Sequence, residues 1–153
     1  MNKESLEIKI MEGIGALRFG ASPDEVLRCF GPCDESEELD TAGEHKSMVW
    51  HYWDRGFSVF FDVASGNRFS CVEIDDDSAQ IWGKRIFEMK EAEIKTLFQS
   101  KGFRDLDEED QDWGEKRVSF DDALIDFYFE KDRLISINYG VHLADTKDVI
   151  FPN

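Results

Sequence analysis

Val59-Phe60-Phe61-Asp62 and Phe127-Tyr128-Phe129-Glu130 lie 68 positions apart, and they anchor an ungapped self-match of Gly15–Asp62 onto Gly83–Glu130. Outward from them, Glu25-Val26 falls on Glu93-Ile94 and Phe30 on Phe98. The identities are few: Gly15/Gly83, Phe19/Phe87, Glu25/Glu93, Phe30/Phe98, Asp54/Asp122 and Phe61/Phe129. Residue class and period carry the match more than letters do, and a fixed period marks a unit built more than once. The expected organisation is one domain over residues 1–153, with a first repeat over about 13–77, a second over about 81–140 and a tail over 141–153.

Each unit starts with a helix. Ser22-Pro23-Asp24-Glu25 reads as an N-cap, an N1 proline and a capping-box glutamate. Val26, Cys29 and Phe30 then form an apolar stripe at i, i+3 and i+4, and Gly31-Pro32 stops it. Ile94, Leu97 and Phe98 repeat the stripe and Gly102 the stop, but Lys90 stands where the capping serine would be, so a looser start is expected there. Extended arms over Gly15–Phe19 and Gly83–Phe87 precede the helices. The acidic stretches Asp34–Glu44 and Gly102–Asp112 that follow them read as loops.

Three strands are expected after each loop: Met48–Trp53, Phe57–Val63 and Phe69–Ile74, then Arg117–Phe120, Leu124–Phe129 and Leu134–Tyr139. Asp54-Arg55-Gly56 and Ser65-Gly66-Asn67 supply turns. The expected fold class is therefore α+β: an internally duplicated helix plus antiparallel β-meander, with the helices packed on one face of the sheet. Val149-Ile150-Phe151 would add or cover an edge strand.

Alternation separates the two faces of that sheet. Trp50, Tyr52, Phe57, Val59 and Phe61 match Val118, Phe120, Ile125, Phe127 and Phe129, which assigns them to the core. The opposite parity carries Val49, His51, Trp53, Ser58, Phe60 and Asp62 in one half, and Arg117, Ser119, Asp121, Asp126, Tyr128 and Glu130 in the other. Aromatic and acidic side chains on one outer face have the composition of a protein-recognition surface, where Trp, Tyr and Phe supply most of the binding energy. The competing reading is that the N-terminal arm or the C-terminal tail covers Trp53 and Phe60.

Composition narrows the partners. With 34 acidic against 18 basic side chains the formal charge is -16. Such a charge repels nucleic-acid phosphates and anionic membranes and favours a basic protein partner, chiefly in on-rate. The steering charges would be Asp34, Glu35, Glu37, Glu38 and Asp40 in the first acidic stretch, and Asp105, Asp107, Glu108, Glu109, Asp110 and Asp112 in the second. The opening Met-Asn-Lys-Glu-Ser-Leu-Glu shows no apolar h-region or lipobox, and no run approaches the roughly 20 apolar residues of a spanning helix, so a cytoplasmic location is expected.

Site chemistry is sparse. Cys29, Cys33 and Cys71 lack redox or zinc spacing and read as structural thiols, with Cys29 as a small core hydrophobe opposite Leu97. Asp105, Asp107, Asp110 and Asp112 approach calcium-loop spacing, but Asp110 stands where that loop needs glycine and its closing glutamate is missing, so no metal site is assigned. His45, His51 and His142 fall in unrelated elements, and Gly13-Ile14-Gly15 lacks the rest of a nucleotide loop. Neither a cofactor nor catalysis is indicated. The alternative kept open is a small-ligand-binding or enzymatic domain, which a deep pocket with perturbed carboxylates would favour over a broad open sheet face.

The helix start Phe19-Gly20-Ala21-Ser22-Pro23-Asp24-Glu25-Val26, closed by Phe30-Gly31-Pro32, together with the tandem pattern, resembles the β-lactamase-inhibitor-protein-like fold, which small outer-membrane assembly lipoproteins share. The resemblance implies a concave sheet that binds an enzyme, a role that would fall on His51, Trp53, Phe60, Asp126 and Tyr128. The chain departs from both groups in lacking an export signal, and from the inhibitors in lacking paired disulfide cysteines, which would require an intracellular target. In composition it is also similar to the acidic immunity proteins that neutralise basic toxin domains.

Overall fold

A computed structural model describes residues 6–41, 45–64, 66–110 and 114–141. Its first elements are a small three-stranded ribbon, β1 (Ile8–Lys9), β2 (Gly13–Ile14) and β3 (Leu17–Arg18), followed by helix α1 (Pro23–Phe30). Then come β4 (Glu35–Thr41), β5 (His45–Tyr52), β6 (Phe57–Asp62) and β7 (Arg68–Ile74). A short hairpin, β8 (Gln80–Ile81) and β9 (Lys84–Arg85), leads to helix α2 (Glu91–Ser100). The chain continues through β10 (Leu106–Asp110), β11 (Glu115–Phe120), β12 (Ile125–Glu130) and β13 (Arg133–Gly140).

These strands assemble into one eight-stranded antiparallel sheet in the order β10-β11-β12-β13-β7-β6-β5-β4. This corrects the expected α+β architecture of duplicated helix-plus-meander units. The molecule is mostly one large antiparallel sheet, and the described residues hold only two short α-helices. The stretches read as acidic loops are in large part the edge strands β4 and β10, paired along their length with β5 and β11. Charge had masked them, because carboxylates occupy both faces of an edge strand and leave no apolar alternation to read. Acidic edges also oppose edge-to-edge association with other sheets. Val149–Phe151 lies outside the described residues.

The core occupies one face of the sheet. Phe57, Val59, Phe61, Val118, Phe120, Ile125, Phe127 and Phe129 are buried there, and Trp50 packs half-buried at the margin. Phe98 of α2 is fully buried against the rings of Phe120 and Phe127, with centroids 5.1 and 5.2 Å away. On the α1 side Phe19 meets Phe69 and Tyr139, and the Tyr139 hydroxyl donates to the Gly13 carbonyl at 2.9 Å. Phe30, the position matching Phe98, is only half-buried. Cys29 is exposed, which overturns its assignment to the core, whereas Leu97 is buried. The α1 stripe turns enough of its edge to solvent to leave the small side chain outside.

Capping follows the sequence at α1 and departs from it at α2. Ser22 and Glu25 close a reciprocal capping box with two 3.2 Å hydrogen bonds. At α2 the Glu93 carboxylate accepts from the Lys90 amide at 2.9 Å, and Asp132 in the β12–β13 turn accepts from the Glu91 amide at 3.2 Å. A tertiary contact thus replaces the missing serine.

The α2 side is further bound by charge. Lys95 and Lys116 each bridge Glu91 and Glu108 at 2.6–2.9 Å, a closed ring joining α2, β10 and β11. Burial alone would raise the Glu91 carboxyl, but hydrogen bonds from Lys95 and Lys116 hold it below the ordinary carboxylate value. Bonds from Lys116 and Lys95 do the same for Glu108.

Candidate functional site

The outer sheet face is where the sequence places its candidate residues, and cross-strand register fixes their order. Glu35, His51, Ser58, Glu73, Asn138, Asp126, Ser119 and Asp107 occupy one row that crosses all eight strands. Strands pair about 4.8 Å apart, so His51 and Asp126, four strands removed, are separated by about 19 Å. The expected patch therefore divides into two poles.

At the β4–β6 pole, His51 is clamped. Its Nδ1 lies 2.7 Å from the Ser58 Oγ, and its Nε2 3.2 Å from Glu37 Oε1. The Trp53 indole stacks on the imidazole with centroids 4.2 Å apart and planes 9° from parallel. Trp53 itself is 58% exposed. It does not continue β5 but opens a 3-10 turn, Trp53–Arg55, and its amide donates to Asp34 Oδ2 at 2.8 Å. Gly56 closes this turn at φ 73°, and a Cβ there would lie 2.7 Å from that of Asp76, so the close approach of the turn to Asp76 demands glycine.

The β11–β12 pole is built around Arg117. Its guanidinium reaches Asp107 and Glu109 at 2.9 Å and Asp126 at 3.7 Å. Fully buried Ser119 hydrogen-bonds both Arg117 and Asp126. Hydrogen bonds that Arg117 donates to Glu109 and Asp107 raise its pKa further. Tyr128 stands half-buried beside this cluster, its hydroxyl pKa raised by burial and then by Asp126.

Away from the two clusters the face is more apolar than alternation implied. Val49, assigned outward, is fully buried with Glu37 and Phe60 as its cross-strand neighbours, and Phe60 is half-buried. Asp62 is 5% exposed at the β6 end and is absent from both poles. Cys71 Sγ donates to Asn138 Oδ1 at 2.9 Å, and burial, then Glu73, pushes the thiol up to about 12. Glu73 lines a dip of about 280 Å³ with Glu115, Tyr128, Ile135, Ser136 and Asn138. Its carboxyl is pushed above the usual range by burial and by Asp75, with His51 opposing.

The steering charges are redistributed by the strands that carry them. Glu35 and Glu37 share the outer face with His51, while Glu38 has the opposite parity. Asp107 and Glu109 are held by Arg117, and Glu108 belongs to the ring on the helix side. Asp105 and Asp110 are exposed, Asp40 lies within β4, and Asp112 falls outside the described residues. Sequence reasoning placed Ser58 on the outer face without a role, and missed Glu73 and the pairing of Glu35 and Glu37 with His51. The i, i+2 spacing of the two glutamates was the available signal, obscured by Glu38 between them and Leu39.

Glu37, His51 and Ser58 form an acid–imidazole–hydroxyl chain, but the backbone around Ser58 is engaged in the β5 and β7 ladders. The chain holds the imidazole between Glu37 and Ser58.

No family model matches the chain. No curated protein matches it either. Among solved structures, an extracellular protein containing an SCP domain from Bacillus anthracis str. Ames is similar over 79% of this chain, with a TM-score of 0.47 and 12% identity. The chain spans 43% of that protein's length. A likeness at this level assigns neither a family nor an activity.

Proposed function

We propose that this protein is a binding module of the inhibitor or immunity type, which captures a basic protein on the outer face of its sheet. The observation that carries this reading is Trp53: 58% exposed, yet held in one orientation by the His51 stack and the Asp34 hydrogen bond. A pre-ordered, exposed indole gives large contact area at little entropic cost, as interface anchors do. Glu35 and Glu37 beside it, within a chain of charge -16, supply the complementarity for a cationic partner.

The test starts from cross-linked capture in native cells, followed by reconstitution of the captured protein as a purified pair. The reading expects a basic protein in a one-to-one complex, weakened by about 2 kcal/mol or more in Trp53→Ala and mostly through faster dissociation. An acidic partner, or affinity unchanged by Trp53→Ala, refutes it.

One feature favours the small-ligand alternative. A cleft of about 560 Å³ beside Trp53 is lined by Arg85 and Arg133 together with Asp75, Asp76 and Asp77. Saturable binding of a small zwitterion, abolished by Arg133→Met, with no basic protein captured, would support that reading over the first.

A further inference from the structure

Glu35 and Glu37 point to the same side of β4, and His51 is the cross-strand partner of Glu35. Each of the three offers a donor atom, and these atoms all lie within 4.8 Å of one another. One pair, His51 Nε2 and Glu37 Oε1, is 3.2 Å apart. Two ligands on a tetrahedral zinc ion, bonded at 2.0–2.1 Å, stand roughly 3.3 Å apart, so this edge already has the right length.

Two further features separate this group from an ordinary acidic cluster. The imidazole is fixed by partners outside the group: Ser58 on Nδ1, Trp53 across its face, and a side chain only 12% exposed. Hydrogen bonding of the remote nitrogen is how metal-binding histidines are aimed and kept in the correct tautomer. The charge balance differs as well. Asp107 and Glu109 are answered by Arg117, and Glu91 and Glu108 by two lysines, whereas among the described residues no lysine or arginine forms an ion pair with Glu35 or Glu37. Two carboxylates and one imidazole present a net charge that a divalent ion cancels.

We propose that Glu35, Glu37 and His51 form a binding site for a divalent first-row metal ion of the zinc class, with further coordination positions open to solvent. An imidazole with two carboxylates suits zinc or its neighbours better than calcium, which takes a larger all-oxygen shell. The site is independent of the identity of any protein partner.

Zinc chloride titrated calorimetrically into the full chain, stripped beforehand with chelator, tests the site. The expected result is a saturable one-to-one event that excess magnesium does not displace. His51→Ala and Glu37→Gln should each weaken it at least about tenfold, while Glu88→Gln, an exposed carboxylate elsewhere, leaves it unchanged. Circular dichroism of each variant checks folding, and Glu37→Gln, at an exposed position, serves if His51→Ala is unstable. Imidazole NMR provides the second readout, with the His51 Nε2 resonance expected to move on zinc addition. Binding that is unsaturable, displaced by magnesium, or unaltered in a folded His51→Ala or Glu37→Gln variant overturns the proposal.

Discussion

Truncating Phe98 to alanine should remove the centre of the α2 half of the core. The side chain has no solvent exposure, and its ring lies 5.0 Å from Trp82, 5.1 Å from Phe120, 5.2 Å from Phe127 and 5.8 Å from Phe103. A buried Phe→Ala substitution costs about 3–5 kcal/mol in lost transfer energy and residual cavity. Four ring contacts push the figure up, because oriented aromatic pairs contribute beyond their area. Collapse of Trp82, which is 37% exposed, relieves some of the cavity, so we expect about 4 kcal/mol. Phe30→Ala is the internal control: half-buried against Tyr52 and Phe57, it should cost about 2 kcal/mol. Urea unfolding followed by tryptophan fluorescence and circular dichroism measures both, and with a slope of about 2 kcal/mol per molar the Phe98→Ala midpoint falls by about 2 M. A loss below about 2 kcal/mol for Phe98→Ala, or equal losses for the two variants, refutes this account of the core.

The remaining expectations concern charge and reactivity. Because Glu91 and Glu108 have depressed folded-state pKa values, the stability they confer is present above the unfolded carboxylate pKa of about 4.3 and lost as pH falls through the folded values. Lys116→Met should cost about 1 kcal/mol at neutral pH and flatten the acid limb of the stability profile, so an unchanged limb would show that the ring is not coupled to folding. Cys71, its thiol at about 12, carries almost no thiolate at pH 8, so iodoacetamide should modify exposed Cys29 well before half-buried Cys71, and peptide mapping showing equal rates would refute this reading.

Much of the sheet was legible because its inner strands obey a period of two. Phe57, Val59 and Phe61 alternate with polar or less buried neighbours, and so do Ile125, Phe127 and Phe129, which places the central strands from letters alone. The Ser22 cap was equally plain. The edge strands were not. β4 and β10 each bury little, and their order comes from pairing with β5 and β11 and from ion pairs such as Arg117 with Asp107 and Glu109, which are contacts distant in sequence. Misreading them as loops hid that Glu35 and Glu37 stand beside His51. The exposure of Cys29 and the burial of Val49 were missed for a related reason, since a residue's parity gives its side of the sheet but not what lies over it.

The two poles of the outer face differ in what they leave unsatisfied. At the β11–β12 pole, Arg117 is already surrounded by Asp107, Glu109 and Asp126, with Ser119 bridging, so a partner's cation arriving there must displace an existing one and gains little. At the β4–β6 pole, among the described residues, Glu35 and Glu37 meet no lysine or arginine, and the exposed face of Trp53 lies alongside. Coulomb attraction between partly exposed charges is worth most where no counter-charge competes, and an aromatic face beside it adds a cation–π contact for an incoming lysine or arginine. Of the residues to which the resemblance gives a binding role, His51 and Trp53 would therefore form the centre of the proposed contact. Asp126 and Tyr128 instead keep the far half of the sheet in shape, and the same electrostatic vacancy at Glu35 and Glu37 that would receive a basic side chain is the one a divalent ion would fill.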